Sequence, residues 1–214
     1  MYTVWIKKAE DLAQEFFKDD ASGHDVFHTM RVRSQAVSIA KEEKADVKLC
    51  ELAALLHDVS DEKFHFTQSA GKEYLNEWMV TQNIPSDIRN KLQQIIESVS
   101  FKGGNGKQTE TLEAGVVQDA DRLDAIGAVG IARCFMYAGF HRSPMHHPEQ
   151  QPRYNLTEQE YRDNSASAVT HFYEKLLTVK DMMNTPTGRR RAEKRHKRLE
   201  NFLDEFYSEW SGTS

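Results

Sequence analysis

Cysteine and proline are scarce in this chain, and a membrane segment is missing. Its 214 residues include 2 cysteines and 5 prolines. Cys50 and Cys134 are isolated and form no Cys-x-x-Cys pattern, so we expect two buried thiols rather than a disulfide or a nucleophile. The first residues also lack the basic start, apolar core and small-residue cleavage site of a secretory signal. We therefore expect a cytoplasmic protein with no membrane partner.

Positive charge is not in excess either. The formal net charge is −5 at pH 7, which argues against a protein that binds nucleic acid over its whole surface. One basic run, from Arg189 to Arg198, interrupts this balance. We interpret it as a solvated basic helix, and a local nucleic-acid contact is the alternative.

Alternating strand patterns are absent, whereas apolar residues recur at helical spacing. The first helix is predicted over 3–18 and the second from Asp25 to about Lys44, with Phe27, Met30 and Val37 on one apolar stripe. No internal repeat or low-complexity segment is present. The predicted fold class is all-α, a helical bundle of irregular topology.

Capping residues indicate where the later helices begin. The predicted caps are Asp46, then Thr67 or Ser69, then Ser86, and finally Thr185 followed by Pro186. A further helix is predicted from Thr157 toward Met183. We treat 1–214 as one domain, with the metal ligands within 24–124 and the C-terminal helices over 157–212 completing the bundle and its pocket.

The most informative stretch is an apolar run that ends in His57 and Asp58, at the end of the third predicted helix. His28 lies upstream, and Asp121 and Asp124 follow downstream on one helical face that excludes Asp119. Helical spacing does not decide between Asp121 and Asp124. Imidazoles and carboxylates without thiolates suit a borderline-to-hard divalent ion with open coordination positions. The sequence therefore predicts a metal site.

Such an ion lowers the pKa of bound water toward neutrality, which favours a hydrolase. Four cations lie near the ligand motifs and favour an anionic, phosphorylated substrate, namely Arg31, Lys63, Lys102 and Arg122. The glycine-rich stretch 100–107 carries Lys102 and is either a phosphate-binding loop or an ordinary connection between helices.

Proton transfer is assigned to a carboxylate close to the ligand pair. Asp61 is the first choice and Glu62 the second, although either residue could simply cap or solvate that turn. His146 and His147 lie in a predicted loop over 141–152. We interpret both as surface residues rather than as a second metal site, because no carboxylate stands at a helical interval from them.

The motifs resemble the HD-domain phosphohydrolase superfamily, and in particular the small bacterial HD-domain nucleotide pyrophosphohydrolases. The resemblance covers nearly the whole chain and is carried by four segments: Gly23-His-Asp-x-x-His28-x-x-Arg31-Val32, Ala54-Leu-Leu-His57-Asp58-x-x-Asp61-x-Lys63, Asp119-Ala-Asp-Arg-Leu-Asp-Ala-Ile-Gly-Ala-Val-Gly-Ile-Ala-Arg133 and His171-Phe-Tyr-Glu-Lys-Leu-Leu177.

This resemblance implies an HD fold and one divalent metal ion, Mn²⁺ above Mg²⁺, Fe²⁺, Co²⁺ or Ni²⁺. It also implies cleavage of a nucleoside triphosphate to monophosphate and pyrophosphate. A 5′-nucleotidase, a cyclic-nucleotide phosphodiesterase and a non-catalytic nucleotide-binding module are the alternatives.

The resemblance also orders the ligands. It assigns His28, His57, Asp58 and Asp121 to the metal, since Asp121 belongs to the Ala-Asp pair that the superfamily uses. His24 is then outside the ligand set, next to the metal site or at the start of its helix. Asp124 becomes an acceptor that orients a histidine or binds Arg122.

Overall fold

The structure, a computed structural model, describes residues 1–20, 23, 25–99, 109–153 and 166–213. Helices make up all of the regular secondary structure in these ranges. The α-helices are α1 (Tyr2–Phe16), α2 (Val26–Glu43), α3 (Val47–Leu56), α4 (Gln68–Thr81), α5 (Ser86–Val99), α6 (Leu112–Asp124), α7 (Gly127–Phe140), α8 (Ala168–Glu174) and α9 (Pro186–Trp210). Two 3₁₀ segments cover Glu62–Phe64 and Leu176–Met182. Within these ranges no strand occurs, and the all-α prediction is confirmed.

Polar side chains define several helix starts. Asp46 and Thr185 accept hydrogen bonds from first-turn N–H groups of α3 and α9, as predicted. Thr67 rather than Ser69 caps α4. The prediction for α5 is wrong in detail, because Ser86 is the first residue of that helix rather than the residue before it. Local capping chemistry therefore locates most of these boundaries.

The central helix is α3, which is buried from Leu49 to Leu56. It contacts α1, α2, α5 and α6, so it is surrounded on several sides. A helix that is apolar over most of its circumference is stable only in such a position. The end of α3, where His57 follows, is consequently deep in the bundle.

The long C-terminal helix α9 contacts α2, α6 and α7. Several arginines of its basic run make contacts with other helices of the protein. Arg190 and Arg191 approach the Glu42 carboxylate at 2.5 and 2.6 Å, and Arg195 donates to the Leu123 carbonyl. These contacts connect α9 to α2 and α6, and they differ from the prediction of a simply solvated basic face.

Two predicted features of packing are wrong. Phe27 is 68% exposed instead of belonging to an apolar stripe. The buried side of α2 carries His28 and Val32, and at 100° per residue Phe27 lies about 100° to 140° around the helix from them. Within its described part, the helix predicted from Thr157 to Met183 is interrupted at Lys175, where α8 gives way to a 3₁₀ segment.

The cysteines are free and their thiols are sheltered. Cys50 is buried and Cys134 is half-buried. Burial raises the pKa of each thiol to about 12, so both stay protonated at neutral pH and are poor nucleophiles. Among the described residues, no single helix is long and apolar enough to cross a membrane. The pair α6 and α7 meets that test jointly, with a bend of 66° between them.

The loop after α7 has one histidine in an unexpected place. The ring of His146 lies 4.8 Å from that of Trp210 and 5.8 Å from that of Phe206, so it packs on α9 and is half-buried. His146 is therefore less exposed than a simple surface residue would be. His147 is exposed, as predicted.

Candidate metal centre

His28 is fixed by the first turn of α2. Asp25 is the N-cap of this helix, and its Oδ1 accepts a hydrogen bond from the His28 backbone N–H at 2.7 Å. The His28 side chain is 1% exposed. Its Nδ1 lies 2.8 Å from Oδ2 of Asp124. Because a carboxylate accepts, Nδ1 is the donor, and Nε2 is the nitrogen that faces the centre.

His57 is fixed by the end of α3. Its Nδ1 lies 2.9 Å from the carbonyl oxygen of Ala54. A carbonyl only accepts, so Nδ1 carries the proton and the neutral ring has its lone pair on Nε2. This Nε2 is buried and has no hydrogen-bond partner within the described part of the chain. A buried lone pair of this kind fits a metal ligand.

Asp58 and Asp121 complete the arrangement. One potential ligand atom from each of His28, His57 and Asp58 lies within 4.8 Å of the others. Asp121 Oδ1 is 3.5 Å from His28 Nε2 and 3.8 Å from His57 Nε2. Asp58 Oδ2 is 3.5 and 3.4 Å from the same two nitrogens.

These separations are long for hydrogen bonds but suit ligands around one ion. Donor atoms about 2.1 Å from a common ion, at angles of roughly 90° to 110°, are about 3.0 to 3.4 Å apart. A small inward movement of the carboxylates would reach this geometry. The two imidazoles and two carboxylates therefore fit a divalent ion.

Asp121 and Asp124 have different surroundings although both belong to α6. The Asp121 side chain is 28% exposed and faces both imidazoles. The Asp124 side chain is 2% exposed. Asp124 Oδ1 accepts from Arg31 Nε at 2.8 Å, while Oδ2 accepts from Arg31 Nη2 at 3.0 Å and from Arg133 Nη1 at 2.9 Å. Asp124 thus lies behind His28, away from solvent.

This arrangement stabilises the ionised form of Asp124. Burial alone would raise the pKa of this carboxyl, but hydrogen bonds from His28 and Arg31 hold the pKa well below its usual range. Burial also opposes protonation of His28, yet its hydrogen bond to Asp124 and the nearby Asp58 carboxylate raise the pKa of the imidazole to about 9. The two residues form a buried charge-assisted pair.

Of the cations predicted to bind substrate, only some lie beside the candidate metal centre. Arg31 is half-buried and reaches Asp124, next to His28. Arg122 instead donates through Nη1 to the Met182 carbonyl, and burial lowers the pKa of its guanidinium. The predicted alternative that Asp124 binds Arg122 is therefore wrong, and Asp124 contacts a histidine and two other arginines. Sequence reasoning assigned no role to Arg133, whose only local signal is its place at the end of the third motif.

The turn after Asp58 has a structural capping role. Asp61 is the N-cap of the segment Glu62–Phe64, and its Oδ1 accepts from the Lys63 N–H at 3.0 Å. Lys63 Nζ lies 3.7 Å from Asp61 Oδ2. The capping alternative is thus present for Asp61, whereas Glu62 is half-buried beside it. The predicted residues His24 and Lys102 lie outside the described residues.

The geometry agrees with comparisons to known proteins. A family model described as the HD domain matches residues 26–126. YpgQ of Bacillus subtilis is 39% identical over 206 residues, covering 94% of this chain and 91% of YpgQ. The chain belongs to the HD-domain family.

Solved structures extend the HD-domain similarity to the whole fold. A Lactobacillus plantarum protein is 36% identical with a TM-score of 0.87, covering 98% of each chain. An HD-superfamily hydrolase from Bacillus thuringiensis is 35% identical with a TM-score of 0.77, covering 99% of each chain. Bacillus subtilis YpgQ in complex with ADP is 34% identical with a TM-score of 0.74, covering 95% of this chain and 97% of that one. These similarities support the general class of metal-dependent phosphohydrolases.

Proposed function

We propose that this HD-domain protein hydrolyses nucleoside triphosphates to nucleoside monophosphates and pyrophosphate. The observation that carries the proposal is the convergence of His28, His57, Asp58 and Asp121 on one point, with Asp121 at the solvent side. The complex of YpgQ with ADP supports a nucleotide as the ligand class. The resemblance of the four motifs to nucleotide pyrophosphohydrolases supports the choice of bond.

The same four residues would hold a single divalent ion, Mn²⁺ being our first choice. Nitrogen and carboxylate oxygen donors without thiolate suit Mn²⁺, and a fourfold donor set leaves coordination positions open. When bound, such an ion supplies Lewis-acid activation of a phosphoryl oxygen and of water. His57 is prepared for this role because its Nδ1 donates to the Ala54 carbonyl and only Nε2 is available as a ligand.

Substrate phosphates are assigned to cations beside this centre. Arg31 uses Nε and Nη2 on Asp124, which leaves Nη1 for a phosphoryl oxygen. Lys63 is one-third exposed, so its ammonium can exchange Asp61 for a phosphate. A third contact, between Lys102 and a substrate phosphate, stays a prediction. Arg122 is the weakest of the predicted set, because it is already engaged by the Met182 carbonyl.

Proton transfer is assigned to the turn after Asp58. Asp61 is our first choice and Glu62 the second, because both lie within one turn of Asp58. In the proposed reaction water adds to the α-phosphorus, the bridging bond from that phosphorus to oxygen breaks, and pyrophosphate leaves. The carboxylate accepts a proton from the water or returns one to the leaving oxygen.

Product analysis tests this proposal. Purified protein with Mn²⁺ is incubated with ribo- and deoxyribonucleoside triphosphates, monophosphates and cyclic monophosphates in ¹⁸O-water. We expect pyrophosphate together with a monophosphate that carries the label, since attack is at the α-phosphorus. His57→Ala and Asp58→Ala are the matched inactive controls.

Other products would contradict the proposed bond. Orthophosphate from a monophosphate would identify a 5′-nucleotidase, and opening of a cyclic substrate would identify a phosphodiesterase. Saturable nucleotide binding without turnover under every metal tested would identify a binding module.

A further inference from the structure

Asp124 receives more donors than its orientation of His28 requires. Its Oδ2 accepts from His28 Nδ1, Arg31 Nη2 and Arg133 Nη1 at 2.8, 3.0 and 2.9 Å. Its Oδ1 accepts from Arg31 Nε. One guanidinium would neutralise one carboxylate, yet two arginines from different helices converge on it. One positive charge therefore remains in this network when His28 is neutral.

The two arginines differ in how they are held. The Arg31 side chain is 36% exposed and makes its described hydrogen bonds to Asp124 alone. The Arg133 side chain is 18% exposed, and its Nη2 donates to the Gly23 carbonyl at 2.6 Å. Arg133 thus bridges the end of α6 and the chain just before α2. Arg31 has one anchor and a solvent-facing side.

The Gly23 contact is conformationally specific. Gly23 has φ of +98°, a region that strongly favours glycine. A Cβ built at this position would lie 3.5 Å from Met136 Cε and 3.8 Å from Arg133 Nε, so the backbone here runs close to α7. This conformation allows the carbonyl to accept from Arg133. Both ends of the Arg133 bridge are therefore defined by the fold.

We propose a division of labour between these arginines. Arg133 is a positioning residue that holds Asp124, and through it His28, in the orientation that presents Nε2 to the metal. Arg31 is the cation that a substrate phosphate can draw toward itself, because Arg133 continues to compensate Asp124 when Arg31 moves. The Arg31 assignment rests on the proposed function, whereas the Arg133 assignment concerns metal binding alone.

The proposal predicts two separable phenotypes. Arg133→Gln removes the bridge, so metal affinity should fall by about 10- to 100-fold, as for other partners that orient a ligating histidine. Arg31→Gln should instead raise KM by about 10-fold or more, the cost of one charge-assisted phosphate contact, with metal affinity within about threefold of wild type. Arg198→Gln is the matched control, since this exposed arginine donates only to the Lys194 carbonyl within the described residues.

Calorimetric titration of Mn²⁺ into chelator-treated protein measures the first phenotype without any substrate. The decisive comparison is a double-mutant cycle with Asp124→Asn. If Arg133 acts through Asp124, Arg133→Gln should change metal affinity by less than about twofold in the Asp124→Asn background. Equal loss in both backgrounds would overturn the positioning role. So would wild-type metal affinity in the single variant Arg133→Gln.

Steady-state kinetics at saturating Mn²⁺ measure the second phenotype. An unchanged KM in Arg31→Gln would overturn its substrate role, whatever nucleotide the wild-type enzyme prefers. If Arg133→Gln does not fold, Arg133→Lys replaces it in the cycle. Lysine retains the charge but cannot present the two directed donors that contact Asp124 and Gly23, so the loss of metal affinity should persist. Full recovery with lysine would show that charge alone matters and would reject the bridge. Failure of the proposed reaction would leave the calorimetric result unchanged.

Discussion

Asp119 and Asp124 are two buried aspartates of α6, five residues apart, and their partners differ in kind. Asp119 accepts from the backbone N–H groups of Asn184 and Thr185 at 2.8 Å, and from the Thr185 hydroxyl at 2.7 Å. Asp124 accepts from His28, Arg31 and Arg133. One carboxylate holds the start of α9, and the other stands behind a potential metal ligand.

Both carboxylates are buried, so burial alone does not distinguish their roles. The hydrogen-bond donors around each carboxylate do distinguish them. Neutral donors from a helix start satisfy Asp119 within the architecture, where a negative charge is also favoured by the helix dipole. Charged donors and a titratable ring surround Asp124, where they can respond to a metal or a phosphate. Asp121 lies between the two and is partly exposed. The three residues therefore allow folding and metal binding to be separated on a single helix.

The largest expected effect is on metal content. Asp121→Asn removes a carboxylate that we propose as a ligand, so the purified variant should be empty. Asp124→Asn keeps the four proposed ligands and should weaken binding by about 10- to 100-fold. Mass spectrometry of each variant, purified without chelator, measures this. An empty Asp124 variant beside a loaded Asp121 variant would reverse the assignment.

The next effect concerns the other side of α6. Asp119→Ala leaves the N–H groups of Asn184 and of buried Thr185 without their acceptor, so the free energy of unfolding should fall by roughly 3 kcal/mol or more. Chemical denaturation measures this loss. Asp181→Ala, at an exposed aspartate, should change the unfolding free energy by less than about 0.5 kcal/mol. Metal affinity of folded Asp119→Ala should stay near that of wild type, and a loss as large as that of Asp124→Asn would erase the distinction between the two aspartates.

Sequence reasoning predicts the parts of this structure that depend on neighbours along the chain. Asp46 and Thr185 begin helices because a capping oxygen needs only the next few N–H groups. The grouping of His57 with Asp58 is visible in the same way. These predictions use local chemistry, which is why they locate α3 and α9.

Contacts between distant segments escape such reasoning. Arg133 and Gly23 are separated by 110 positions, and Asp119 and Thr185 by 66. Helical spacing excludes Asp119 from the face of Asp121, but it does not reveal that α9 begins against it. Similarly, the apolar period of α2 does not show which side of the helix packs against its neighbours, so Phe27 is wrongly predicted to lie on the packed side. Tertiary packing decides these points.

A smaller loss of stability is expected at the contact between α9 and Asp119. A Cβ at position 188 would overlap Asp119 Oδ2, so Gly188→Ala should lower the unfolding free energy by about 1 to 3 kcal/mol despite the helix propensity of alanine. Gly139→Ala is the matched control. Nothing lies within 4 Å of a Cβ there, and alanine should raise stability by roughly 0.5 to 1 kcal/mol. Thermal or chemical unfolding of both variants tests the pair. A stabilised Gly188 variant would show that the Asp119 side of α6 is loosely packed.

The smallest expected effect is a proton count, and it belongs to the Asp124 side alone. The pKa of His28 is raised to about 9, against burial, by its hydrogen bond to Asp124 and by the nearby Asp58 carboxylate. His28 is therefore protonated near pH 7.5, whereas a metal needs the neutral Nε2. Binding should release about one proton from this residue, and apparent affinity should rise roughly tenfold per pH unit until the pH approaches the pKa.

Calorimetric titration of Mn²⁺ in two buffers of different ionisation enthalpy gives the number of protons released. Between pH 6.5 and 8.5 the wild-type protein should release more protons than Asp124→Asn, because loss of the Asp124 carboxylate lowers the pKa of His28 and leaves less proton to displace. Gly188→Ala, on the other side of α6, should release as many protons as wild type. Equal release from wild type and Asp124→Asn would mean that Asp124 does not control the protonation of His28. The proposed electrostatic difference between Asp124 and Asp119 would then be wrong.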